Sequence, residues 1–364
     1  MKPLSSLYIF GFNTKKETAE LLLKPMNFIE LNNDQRRELV NTRQRNQAYQ
    51  TLEARLAGFR GSMVWAESKG TQYLARSYYD KAGIRRQRSL GARSPTTERM
   101  KAEFERGRAE AQESFKEIDA AMERQAAINR AIGLGRVPRT GARIIRAIDS
   151  AGILGAGIRV AGTNAIFAYE AAAGVAVDPG LTTTGDLDIL MDIRAGVRFT
   201  VSDEVSDRSL MTILKAVDKS FERSSQQFRA QNDQGYMVDL IKPMRATPWS
   251  DKQHSIGKVD DDLNAAEIEG LVWLENAPPF EAVAIDEKGY PVKIVAPDPR
   301  VWAAHKLWVS HRPDRDPVKK RRDEGQARVI AAIIKSHLPH LVFDASQLLM
   351  LPKDVFDAAA SLFQ

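Results

Sequence analysis

The stretch TTTGDLDILMD, residues 182–192, places Asp186 and Asp188 one residue apart in an otherwise apolar run. Strand side chains alternate between faces, so the two aspartates project together while Leu187 and Ile189 turn to the core. They then lie about 7 Å apart along one face, close enough to share a cation. Ionised carboxylates in such surroundings require a cation or a hydrogen-bonding partner. Asp192 falls about 14 Å beyond Asp188 along the strand and is a poorer third ligand. The same pattern also describes a strand end whose aspartates meet water, so the neighbouring segments decide between the two.

Upstream, IRVAGTNAIFAYE (158–170) reads as an apolar strand ending in Gly162-Thr163-Asn164, which open a helix. Such a turn, with a glycine, a hydroxyl and free backbone N–H groups, makes an anion site aided by the helix dipole. A plain N-cap by Thr163 or Asn164 satisfies the same donors without a ligand. Downstream, GYMVDLIKP (235–243) is a strand carrying one carboxylate, Asp239, between apolar neighbours. Strands of one sheet lie about 4.8 Å apart, so Asp239 joins the pair if the two strands are neighbours.

The order Gly-Thr-Asn, Gly-Asp-Leu-Asp-Ile-Leu, Val-Asp-Leu-Ile resembles the DNA polymerase β-like nucleotidyltransferase superfamily. Gly162, Thr163, Ala165 and the run Ala168-Tyr169-Glu170 are similar to a bacterial nucleotidyltransferase-like branch. The Trp65 hairpin, Ser89-Leu90-Gly91 and the late His305-Lys306-Leu307 extend that likeness over most of residues 60–340. Two features depart from the pattern. Thr163 stands where Ser or Gly is commoner, and the insertion GVAVDPGLTTT (174–184), expected to add a short strand and a turn, lengthens the spacing to Asp186.

The resemblance implies an α+β nucleotidyltransferase fold, a mixed β-sheet flanked by helices, with helical N- and C-terminal regions and an N-terminal β-meander. It implies Mg²⁺ (or Mn²⁺) held by Asp186 and Asp188, which bridge two ions, and by Asp239 on the second. Gly162, Thr163 and Asn164 would hold the departing phosphates of an NTP, and Lys306 would reach the triphosphate. The implied reaction transfers a nucleoside monophosphate to a hydroxyl acceptor (RNA, protein or small molecule) and releases pyrophosphate. An oxygen-only donor set suits Mg²⁺, and two such ions clamp the attacking and leaving oxygens. The competing classes are a non-catalytic interaction protein on the same fold, from a toxin–antitoxin pair or mobile element, and a nucleic-acid-binding protein.

Around this centre the chain reads as three regions. Residues 1–136 hold a helical start to about residue 60, a meander over about 61–91 turning at Lys69-Gly70, and a charged helix from Ser94-Pro95 to about 131. Residues 137–250 form the catalytic domain, with helices over 137–154 and 206–221 and strands over 226–231 and 235–243. Residues 251–364 add a hairpin turning at Glu287-Lys288-Gly289 and then helix from Pro299 to the end. TPWSDKQHSIGKVDDDLN (247–264) reads as the linker.

A chain of 364 residues, 43% hydrophobic and 27% charged, is ample for several cores and unlike a disordered protein. Zero cysteines exclude disulfides and thiolate chemistry. No signal peptide and no run of about 18 apolar residues is expected, which points to a cytoplasmic protein without a membrane partner. The net charge of +6 suits a polyanionic ligand without demanding one. Arg85, Arg86, Arg88 and Arg93, beside Trp65, Tyr73, Tyr78 and Tyr79, form the pattern that tracks phosphates and stacks bases. Hairpin aromatics also serve as core, which leaves both readings open. Lys319, Lys320, Arg321 and Arg322 read as a solvated helix face, and His305 as a packed or surface residue. GILGAGIRVAG lacks the dinucleotide fingerprint, because Val160 takes the third glycine position and the glycines precede the strand.

Overall fold

A computed structural model describes residues 27–79, 84–192, 209–244, 255–256 and 261–364. Residues 1–26, part of the stretch expected to be helical, lie outside the described residues, which open on a short strand, β1 (Phe28–Glu30), that the helical reading does not anticipate. Helix α1 (Asn33–Gly58) follows, fixed by a capping box in which Asn32 and Gln35 satisfy each other's amides. Strands β2 (Ser62–Ser68), β3 (Thr71–Tyr79) and β4 (Arg85–Ala92) make an antiparallel meander. Its first turn holds Lys69 and Gly70 at φ +52° and +76°, the left-handed pair that matches strand twist. Helix α2 (Pro95–Ala131) starts on a Ser94 cap with proline in its first turn. It runs antiparallel to α1, since Phe59 meets Phe104, Tyr49 meets Phe115 and Thr42 bonds Asn129.

Helix α3 (Arg139–Ser150) buries Ile144, Ile145 and Ile148; Leu154 lies beyond its end, so the helix is shorter than its apolar pattern suggests. Strand β5 (Ile158–Val160), a 3-10 turn (Thr163–Ala165) and α4 (Ile166–Ala173) come next. The insertion supplies β6 (Val175–Val177) and one helical turn (Pro179–Thr182) before β7 (Asp186–Met191). Strand β6 pairs antiparallel with β1, which explains why a strand forms so near the start. Helix α5 (Leu210–Val217), β8 (Glu222–Arg223), β9 (Arg229–Gln231), β10 (Met237–Pro243) and β11 (Ala266–Ile268) complete a mixed sheet of order β5-β7-β10-β9-β8. Strands β7 and β10 are parallel at its centre. Strand β9 takes the first half of the other edge of β10, antiparallel, and β11 takes the last half, parallel. Most of the 247–264 stretch read as a linker lies outside the described residues.

Helix α6 (Leu271–Asn276) and the hairpin β12 (Pro279–Ile285) and β13 (Pro291–Pro297) follow. Three helices end the chain: α7 (Pro299–His311), α8 (Pro317–His337) and α9 (Lys353–Phe363). The expectation of helix throughout is corrected at 312–316 and at 338–352, where Pro313, Pro339 and Pro352 interrupt it. One hydrophobic core runs from Phe28 to Ala359 and takes in the sheet, the hairpin and the terminal helices. The result is an α+β fold, a mixed sheet flanked by helices, as expected. No helix among the described residues is long and apolar enough to cross a membrane.

Candidate active site

The geometry of the three aspartates follows from register. Asp239 of β10 is the Cα partner of Asp188 of β7, and Met237 is the partner of Asp186. Register partners on adjacent strands share a face, so Asp186, Asp188 and Asp239 lie on one side of the sheet. Leu187 and Ile189 are fully buried on the other side.

Each carboxylate has a different environment. The Thr184 hydroxyl donates to Asp186, and the Asn164 side-chain amide donates 2.7 Å to the Asp186 backbone carbonyl. Asp188 faces Gly162, whose φ of +54° and missing side chain let the carboxylate in; an added Cβ would sit 2.7 Å from the Asp188 Cγ. Burial, then the charges of Asp186 and Asp239, push the Asp188 carboxyl up to about 6 against the pull of Lys306 and Arg315. Asp239 is held in a bidentate pair by Arg229 of β9, at 2.7 and 2.6 Å. That bond raises the guanidinium pKa further.

Three carboxylates with only oxygen donors fit a hard divalent cation, whose charge would offset the burial, and the smaller repulsion from Asp186 and Asp239, that lift Asp188. The fit requires one change. With Asp239 turned to Arg229, no three Asp, Glu or His side chains among the described residues are gathered into a ready cation site.

Beside Asp188 and Gly162 opens a cavity of about 430 Å³. Its apolar wall includes Ile241, Leu271, Trp308 and Val309; Lys306, Arg312 and Arg315 supply its positive charge. Lys306 and Arg315 are positioned by one fully buried carboxylate, Asp323, at 2.7 and 2.8 Å. Burial alone would raise the Asp323 carboxyl, yet these two cations outweigh it and hold it low. Trp302 donates its indole N–H 3.2 Å to the Gly162 carbonyl, which pins the glycine turn to α7.

The structure places the other expected residues as follows. Thr163 is buried, and its hydroxyl accepts from Gln326 of α8 at 3.2 Å instead of capping the turn. Asn164 is buried with its Oδ1 unpartnered, as is the hydroxyl of nearby Tyr236, both beside Gly141. His305, expected as a packed or surface residue, is buried and lines the cavity, between Trp273 and Trp308, with an unpartnered Nε2. Of the four residues read as a solvated face, Lys319 and Arg321 are exposed, whereas Lys320 and Arg322 are half-buried and Arg322 donates 3.5 Å to the Thr183 carbonyl. Arg229, Arg315, Asp323 and Gln326 do not stand out in the sequence. Arg229 acts through a cross-strand pair, and Asp323 reaches Lys306 across the turn between α7 and α8, so no local spacing marks either.

The run Ala168-Tyr169-Glu170 has a structural purpose. The Tyr169 hydroxyl donates 2.9 Å to the Pro297 carbonyl. The buried Glu170 accepts from Arg136 at 2.8 Å and from the Val177 amide at 2.6 Å, tying hairpin, helix and β6 together.

No curated protein and no solved structure matches the chain. A nucleotidyltransferase family model matches residues 139–350, from the start of α3 to the segment before α9, and so spans every residue just described except Arg136. With the match covering more than half of its length, the chain belongs to this nucleotidyltransferase family.

Proposed function

We propose that the chain transfers a nucleoside monophosphate from an NTP to a hydroxyl acceptor and releases pyrophosphate, with Mg²⁺ or Mn²⁺ held by Asp186, Asp188 and Asp239. The observation that carries this reading is the register of Asp188 with Asp239 on parallel strands, on the face that also carries Asp186 and beside a cationic cavity. A divalent ion bound there supplies charge neutralisation to the polyphosphate and acidifies the acceptor hydroxyl. The chain's own groups do the rest. Lys306 and Arg315, braced by Asp323, orient the phosphates, and the bare Cα of Gly162 leaves room beside Asp188. Leu271, Val309 and Trp308 offer the base an apolar wall. Asp239, once Arg229 moves from it to a phosphate, accepts the acceptor's proton.

The test is a thermal shift with each NTP, with and without Mg²⁺ or Mn²⁺, followed by labelled-nucleotide incorporation in cell extract. Binding at a hundredfold excess over Kd stabilises by about 2.7 kcal/mol. The expected result is a metal-dependent shift and label transfer, both lost in Asp188→Asn with the fold intact. Unchanged turnover in that variant would sink the assignment.

One observation favours a second reading, a non-catalytic interaction protein on this fold. The Arg229–Asp239 pair neutralises one carboxylate without a metal ion. On that reading no NTP shifts the melting temperature, and Arg229→Ala does not restore a shift.

A further inference from the structure

The antiparallel helices α1 and α2 form an arm. Its inner end docks on the catalytic body where Asn129 donates 2.8 Å to the Gly289 carbonyl and Arg130 donates 2.5 Å to the Lys288 carbonyl. Its outer end carries the meander, where Phe104 meets Phe59 and the Arg76 guanidinium. From Phe104 to Ala126, which touches Gly289, is about 33 Å of helix. The meander therefore sits at the far end of α2 from this hairpin turn, and none of its described residues lines the cavity beside Asp188.

Charge is concentrated there. Residues 61–93 contain seven basic residues (Lys69, Arg76, Lys81, Arg85, Arg86, Arg88 and Arg93) and two acidic ones, Glu67 and Asp80. This tenth of the sequence thus accounts for +5 of a net charge of +6. Strand β4 is the outer strand of a three-stranded sheet, and every residue in it but Leu90 is exposed. Register sets Tyr79 against Arg85 and Tyr78 against Arg86. Because neighbouring residues alternate, one tyrosine–arginine pair projects from each face of the strand end. Tyr79 is 72% exposed and Tyr78 38%, so neither ring serves as core. Arg93 lies over the Trp65 ring at 5.1 Å, which stiffens the other end of the same strand.

We propose that this arm-borne meander is a nucleic-acid-binding module that takes a single strand, with Arg85, Arg86 and Arg88 on phosphates and Tyr78 and Tyr79 stacking on bases. Charge complementarity selects a polyanion, and paired exposed aromatics select one with unpaired bases over an acidic protein or a lipid surface. Binding at the meander needs no NTP and no metal, so it stands or falls separately from the transferase reading.

Fluorescence anisotropy of a labelled 20-nucleotide single strand, as RNA and as DNA, tests this with the full chain over 50–200 mM KCl. The affinity is expected to fall steeply with salt, with a log–log slope of about −0.7 per phosphate contact. The triple variant Arg85→Ala/Arg86→Ala/Arg88→Ala is expected to lose on the order of 10-fold or more in affinity and about 2 units of that slope. Tyr78→Ala/Tyr79→Ala is expected to weaken binding on the order of 10-fold with the slope unchanged. Lys319→Ala/Lys320→Ala, on the body, is expected to bind like wild type. Unchanged circular dichroism keeps the variants comparable. RNA and DNA arms separate the two sources of the same backbone chemistry. Absence of binding to both at 50 mM salt, or wild-type binding by the arginine variant, overturns the proposal. So does binding to anionic phosphatidylserine vesicles without binding to either oligonucleotide.

Discussion

At Gly162 the absence of a side chain is what lets Asp188 stand beside the cavity. Gly162→Ala forces a Cβ into the Asp188 carboxylate at a backbone angle only glycine adopts readily. The expected result is a displaced β5–α4 turn and loss of the metal-dependent thermal shift, while Gly185→Ala, which meets nothing within 4 Å, keeps it. His305 offers a pH test. Burial first, and then Lys306, Arg315 and Arg312, push its imidazole pKa down to about 3. The unfolded chain takes up that proton near pH 6.5 and the folded chain does not until about 3, so stability is lost as the pH drops through this window. Between pH 6.5 and 5 this one group costs on the order of 2 kcal/mol. Denaturant melts at the two pH values are expected to show a smaller acid loss in His305→Phe than in wild type. An equal loss in both would place the titration elsewhere.

Among the elements, the hairpin β12–β13 does more than its sequence suggests. Its turn glycine, Gly289, has φ +86°, and an added Cβ would lie 2.8 Å from the Ala126 carbonyl carbon. The turn therefore interlocks with α2. Gly289→Ala is expected to cost about 1–3 kcal/mol through overpacking and to loosen the arm. Hydrogen exchange would register this as lost protection at residues 126–134 while β7 and β10 stay protected; uniform loss would mean the arm and body unfold together. The sequence predicts this hairpin, the meander, α2 and the strands bearing the three aspartates, because alternation, capping and turn residues are local signals. Strand β1 escapes it because three residues carry no periodicity, and only pairing with β6 makes them a strand. Strand β11 escapes for the same reason, and the 338–352 break hides in a run of leucines between two prolines.

For the whole molecule, what the sequence leaves hidden is long-range. The Arg229–Asp239 pair, the Asp323 brace and the Gln326 bond to Thr163 join residues that only the fold brings together. A residue type can announce chemistry, but its partner is chosen by topology. Trp302 shows how far this reaches. Its indole holds the Gly162 carbonyl, the Lys306 ammonium lies 5.4 Å from its ring centre, and Trp308 walls the same cavity with Trp273 edge-on behind it. Three of the chain's five indoles thus cluster at this cavity. The molecule carries its own optical gauge. A ligand that draws the ammonium away from Trp302 is expected to change the intrinsic emission, which a titration with NTP and Mg²⁺ would register label-free, before any acceptor is identified.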